Sequence, residues 1–81
     1  MRVTVRVFAR LRDVAGRGEW PCQVADGASV ADVWRAAVHE HPAFEPFAGA
    51  VSCAVNAEFA RMSAVVGDGD EIAFLPPVSG G

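Results

Sequence analysis

Seven residues, Leu75-Pro76-Pro77-Val78-Ser79-Gly80-Gly81, have the types and order of a segment that delivers a carboxylate. Two prolines remove backbone donors and favour an extended polyproline path, so a strand ending at Leu75 cannot continue and the tail is aimed outward. The six residues from Pro76 to Gly81 reach roughly 20 Å at most, at about 3.3 Å per extended residue. Glycine suits the tip because it lacks Cβ, fits a narrow channel and accepts any backbone conformation a host requires. The chemistry offered is that of a terminal carboxylate placed in a cleft of another protein. The plainer alternative is a frayed end.

The remaining candidate groups have structural explanations. His39 and His41 flank Glu40, but residues two apart on a helix point about 200° apart, so the two imidazoles cannot share a metal. Asp68, Asp70 and Glu71 lack the loop length and downstream bidentate glutamate of a calcium site, and they read as turn residues. Ser29, Ser52, Ser63 and Ser79 have no evident histidine partner for a nucleophilic triad. Cys22 and Cys53 belong to no CxxC pair, and both are expected as small buried residues within strands. A bridge between them is disfavoured in a reducing cytoplasm. No metal site is expected.

The elements that would position the tail follow from periodicity. Val3, Val5 and Val7 alternate with Arg2, Thr4, Arg6 and Phe8, the two-residue repeat of a half-buried strand. Residues 10–15 suggest a short helical turn. Glu19 to Val24 reads as a second strand, at a sheet edge because Pro21 lies inside it. Ser29 and Asp32 form an N-cap with an acidic first turn, and Val30, Val33, Trp34, Ala37 and Val38 make the apolar stripe of a helix on a sheet. Pro42 ends that helix. Phe44 and Phe47 are spaced as if on one helical turn. Val51 to Val55, Phe59 to Arg61 and Glu71 to Leu75 are further strands, the last introduced by the Gly67-Asp68-Gly69-Asp70 turn. The order β, β, α, β, β, β predicts an α+β, β-grasp (ubiquitin-like) fold, with a mixed sheet of about five strands and one main helix on one face.

Strand parity adds a surface. If Val3, Val5 and Val7 point under the helix, Phe8 points to the opposite face. If Ile72 and Phe74 point inward, Leu75 joins Phe8. The first and last strands of a β-grasp sheet are parallel neighbours, so both residues lie near the base of the tail, and Phe59 is expected beside them. Scattered surface apolar residues are the alternative.

The chain has 81 residues, of which 52% are hydrophobic and 21% charged, the balance of one folded domain rather than of a disordered chain. We expect a single domain over residues 1–81, with 76–81 as its tail. So small a body rarely encloses a substrate pocket and keeps its core, so it is not expected to be an enzyme on its own. The net charge is −3 and all seven basic residues are arginines scattered along the chain, which argues against nucleic-acid binding. Without lysine the chain offers no side-chain amine for acylation. No apolar run approaches a membrane span, and the start lacks the apolar block of a signal peptide, so a cytoplasmic location is expected, without membrane attachment.

The blocks Phe8-Ala9-Arg10-Leu11-Arg12-Asp13 with Gly16 after it, Ala54-Val55-Asn56, Asp68-Gly69-Asp70-Glu71, and Phe74 through Gly81 together resemble the small subunits of molybdopterin synthase, the MoaD family of ubiquitin-like sulfur carriers. The last block is the specific one, because thiamin-pathway carriers also end in Gly-Gly but lack the two prolines. One departure is Leu75, where many members have an aromatic residue.

The resemblance implies that Gly81 is first adenylated by an activating enzyme similar to ubiquitin E1, which uses ATP; no cofactor is bound by the carrier itself. A sulfur donor protein then displaces AMP to leave a thiocarboxylate. Sulfur passes to cyclic pyranopterin monophosphate inside the large synthase subunit, in a heterotetramer of two small and two large subunits. Gly80 would be the slim neighbour of the reactive end, Pro76, Pro77, Val78 and Ser79 the threaded tail, and Phe8, Phe59 and Leu75 the docking patch. Two alternatives stay open: a carrier for thiamin, cysteine or tungsten-cofactor synthesis, and a ubiquitin-like modifier joined to lysines of other proteins.

Overall fold

The structure is a computed structural model, and it describes residues 1–77. Strand β1 (Arg2–Val7) buries Val3, Val5 and Val7 on one face, as their alternation with larger polar residues dictates. Helix α1 (Ala9–Ala15) follows at once and ends where Gly16, at φ 74°, adopts the left-handed conformation that stops a helix cheaply. It is a full helix of seven residues, longer than the expected turn, because Leu11 anchors it in the core. Strand β2 (Glu19–Gln23) returns antiparallel to β1, with Trp20 opposite Val5 and Pro21 opposite Thr4.

Helix α2 (Val30–Glu40) begins with a complete capping box. The Asp32 backbone N–H donates to the Ser29 hydroxyl, and the Asp32 carboxylate accepts from the Ser29 backbone N–H at 2.8 Å. Its buried face is Val30, Val33, Trp34 and Ala37, with Val38 half-buried at the margin. A 3-10 helix, Pro42–Phe47, then tucks Phe44 completely inside, so the two phenylalanines do share one turn. Phe44 stacks on Trp34 with ring centroids 5.7 Å apart, and Trp34 meets Phe74 at 5.0 Å. These contacts tie helix, connection and sheet into one core.

Strands β3 (Ser52–Val55), β4 (Glu58–Ala60) and β5 (Glu71–Leu75) complete a five-stranded sheet in the order β2-β1-β5-β3-β4. β1 and β5 pair in parallel, and every other neighbouring pair is antiparallel. This is the β-grasp arrangement: β5 lies in the middle, α2 covers one face, and Pro21 lies on an edge strand where its missing donor costs no ladder bond.

One expectation needs correction. Cys53 is buried but Cys22 is only half-buried, because β2 is an edge strand with incomplete cover. Both are free thiols, and two intervening strands, each about 4.8 Å wide, hold them too far apart to bridge.

Candidate functional site

The sheet face opposite α2 is set by register. Leu75 pairs with Ser52 and Ala73 with Ala54, while Ala54 pairs on its other side with Phe59. Because neighbours in register share a face, these five residues point the same way, away from Ile72, Phe74 and Cys53. In the parallel pair Val7 lies opposite Phe74, which brings the next residue, Phe8, level with Leu75. Phe8 keeps strand-like dihedrals (φ −132°, ψ 161°) as the N-cap of α1, so the alternation carries through the end of β1. Ala9, at φ 50°, then swings the chain away.

A connected apolar cleft results. Phe8, Ala9, Ser52, Phe59, Leu75, Pro76 and Pro77 line an open concavity of about 460 Å³. Phe59 is 84% exposed, whereas Phe8, Leu75 and Pro76 are half-buried. An aromatic side chain this open is a liability in a lone protein and an anchor in a complex, where its burial contributes roughly 1.5–3 kcal/mol. Phe8, Phe59 and Leu75, expected together from parity, do meet, and Pro76 and Pro77 form part of the same wall. Val78, Ser79, Gly80 and Gly81 lie outside the described residues.

Ala9 and Ser52 were not anticipated as lining. Ser52 owes its place to the pairing of β3 with β5, and only its parity with Ala54 hinted at it. Ala9 owes its place to a positive φ that its residue type does not announce.

Polar contacts brace the site. The Asn56 side chain donates to Asp70 at 2.9 Å and accepts from the Glu71 N–H at 2.9 Å, which fixes the start of β5 against the β3–β4 turn. Asp70 also accepts from the Gly67 N–H, and the Asp68 carboxylate accepts from the Arg2 N–H at 2.8 Å. The acidic loop is thus spent on its own turn and on β1. The hydrogen bond from Asn56, and after it that from Gly67, hold the Asp70 carboxyl below its ordinary value. Arg6 lies beside the patch with its guanidinium 5.2 Å from the Phe8 ring centre, bonded to Glu71 at 3.1 Å.

Neither thiol is a ready nucleophile. Burial pushes the Cys53 thiol up, and Cys22 is raised by burial and by the Glu40 charge. His39 is exposed near the end of α2, whereas His41 packs against Trp20 and Phe44, so the two imidazoles diverge. Among the described residues no group of His, Cys, Asp or Glu gathers at metal-ligand spacing, and no helix is long and apolar enough to cross a membrane.

Comparison with known proteins supplies the family. The chain is 36% identical over 83 residues to the molybdopterin synthase sulfur carrier subunit of Chlamydomonas reinhardtii, with all of both chains covered. Its fold matches the crystal structure of SAMP1 from Haloferax volcanii with a TM-score of 0.91 at 32% identity, again over the whole of both chains. It also matches a chain in the protein-protein complex of subunits 1 and 2 of molybdopterin-converting factor from Helicobacter pylori, with a TM-score of 0.69, 27% identity and full coverage of both. The ThiS family model matches residues 5–81. With that match spanning nearly the whole sequence, and with a β-grasp sheet under it, the chain belongs to the ThiS family of ubiquitin-like sulfur carriers.

Proposed function

We propose that the chain is the sulfur-carrying small subunit of a molybdopterin synthase, with Gly81 as the group that bears sulfur. The observation that carries the reading is the apolar cleft of Phe8, Phe59 and Leu75, because its wall includes Pro76 and Pro77 and thus adjoins the base of the tail. A partner seated on that cleft receives the tail at a fixed origin. Residues 76–81 then need only span the distance from the cleft to a reaction centre, which converts a second-order encounter into a positioned delivery.

The chemistry needs two stages. A carboxylate is a poor electrophile, so an activating enzyme of the ubiquitin E1 kind joins the Gly81 carboxylate to AMP and releases pyrophosphate from ATP. The outer sulfur of a persulfide on a sulfur donor protein attacks the acyl carbon, and AMP leaves. A second thiol then cleaves the resulting acyl disulfide, forming a disulfide with the donor sulfur and releasing the thiocarboxylate. Its sulfur is ionised at neutral pH and nucleophilic. In the large subunit it is delivered to cyclic pyranopterin monophosphate, and two deliveries complete one dithiolene. The pterin pocket and the acid-base groups belong to the large subunit, and the assembly holds two copies of each chain. The Chlamydomonas relative's description and the Helicobacter complex support this partner class.

A second reading, a protein modifier, is favoured by the likeness to the Haloferax protein, since a curated relative of 34% identity in that organism is described as small archaeal modifier protein 1. Pulldown from cells with intact mass analysis separates the two. A discrete species heavier by the replacement of one oxygen with sulfur, recovered with a large synthase subunit, is the expected result. A ladder of larger conjugates without that species overturns the sulfur-carrier reading. Appending one Ala after Gly81 should abolish sulfur transfer and leave the melting temperature unchanged; full activity in the extended form contradicts the role of Gly81.

A further inference from the structure

A second, polar cleft adjoins the apolar one, and Phe8 lines both. It has a volume of about 330 Å³ and is walled by Arg6, Val7, Phe8, Arg12, Gly18 and Glu19. Its two arginines are not equivalent. Arg6 is engaged by Glu71 at 3.1 Å and approached by Glu19 at 3.9 Å, so its charge is answered within the chain. Arg12 has no ion-pair partner among the described residues, although the protein as a whole is acidic.

Arg12 is exposed, and it reaches the cleft over a glycine. Its side chain lies along Gly18, where an added Cβ would meet its Nε at 3.4 Å and its Cζ at 3.6 Å. The missing side chain at Gly18 leaves room for the guanidinium at the cleft, where it stays exposed to solvent and open to a partner. The planar fork of a guanidinium matches a carboxylate in two parallel hydrogen bonds.

We propose that Arg12 is the electrostatic half of the docking surface, and that it receives a carboxylate side chain from the same partner protein that covers Phe8, Phe59 and Leu75. The inference rests on the reading of that patch as the docking site. Apolar burial over the phenylalanines then supplies affinity. The Arg12 contact fixes the rotation of the partner about that patch and so the direction in which the tail base points. The partner chemistry is therefore specified: an apolar docking knob with an Asp or Glu at its margin.

The test is titration of the large synthase subunit with wild-type carrier, Arg12→Glu, Arg12→Gln and, as a control on the opposite side of the molecule, Arg35→Gln. Circular dichroism melts confirm that each variant is folded. Arg12→Glu should weaken binding about tenfold or more and Arg12→Gln by less, with both deficits shrinking as salt is raised and Arg35→Gln unchanged. Wild-type affinity in both Arg12 variants, or a deficit undiminished by salt, overturns the inference and leaves the patch intact. Failure of the wild-type carrier to bind the large subunit overturns the reading beneath it, and the inference falls with it.

Discussion

Phe8 serves two structures at once, since its backbone caps α1 while its ring walls both clefts. A substitution that keeps the backbone and changes the ring separates the two duties. Phe8→Asp should weaken association with the large subunit by more than tenfold while costing only a few degrees of melting temperature, because the ring is half-buried rather than sealed in the core. Unchanged affinity in a titration removes Phe8 from the patch. Asp70 illustrates a residue whose charge is structural. Its carboxyl lies below the ordinary value of 3.8 in the folded protein, so the folded state binds that proton more weakly than the unfolded chain does. The stability it contributes is complete above the ordinary value and is lost as pH falls through the lowered one. Asp70→Asn removes this dependence. The gap in melting temperature between wild type and variant should therefore narrow as the solution is acidified below 3.8, and a gap constant with pH refutes the assignment.

The β3–β4 hairpin shows how a short element aims a single side chain. Its two central residues, Asn56 and Ala57, have φ of 50° and 72°, the mirror-image turn that matches the twist of a hairpin and places Phe59 opposite Ala54. Asparagine tolerates this conformation, and here its side chain also bonds to Asp70 and Glu71. Alanine has no such compensation. Ala57→Gly should therefore stabilise the protein by about 1 kcal/mol, once the entropy of glycine is set against the relieved strain. For a domain of this size that is a rise of about 4–8 °C in melting temperature, readable by calorimetry. The periodic elements were legible in the sequence because burial imposes its own rhythm: alternating valines for β1, a three-and-four spacing for α2, and Ser29 with Asp32 for its cap. The details that escaped have no such rhythm. A seven-residue helix with one buried leucine leaves too few apolar positions for a period, and Ala9 enters the cleft through a backbone angle that alanine does not advertise.

On the scale of the whole molecule, the two faces of the sheet divide the labour. One lies beneath α2 and holds the core, while the other carries the clefts at the end where β1 and β5 finish side by side. Parity alone indicated that Phe8 and Leu75 share a face, because alternation is a local property. The joining of Ser52 to that face, and the meeting of Arg6 with Glu71, depend on register between strands distant in sequence, which no single segment encodes. The central place of β5 has a mechanical result. Its neighbours run in opposite directions, β1 parallel and β3 antiparallel, and both are bonded along its length. Tension applied through Pro76 loads two ladders in shear together, so they must rupture as a set rather than unzip rung by rung. A motor that pulls on this protein from its C-terminal side meets its greatest resistance at the first strand it tries to extract.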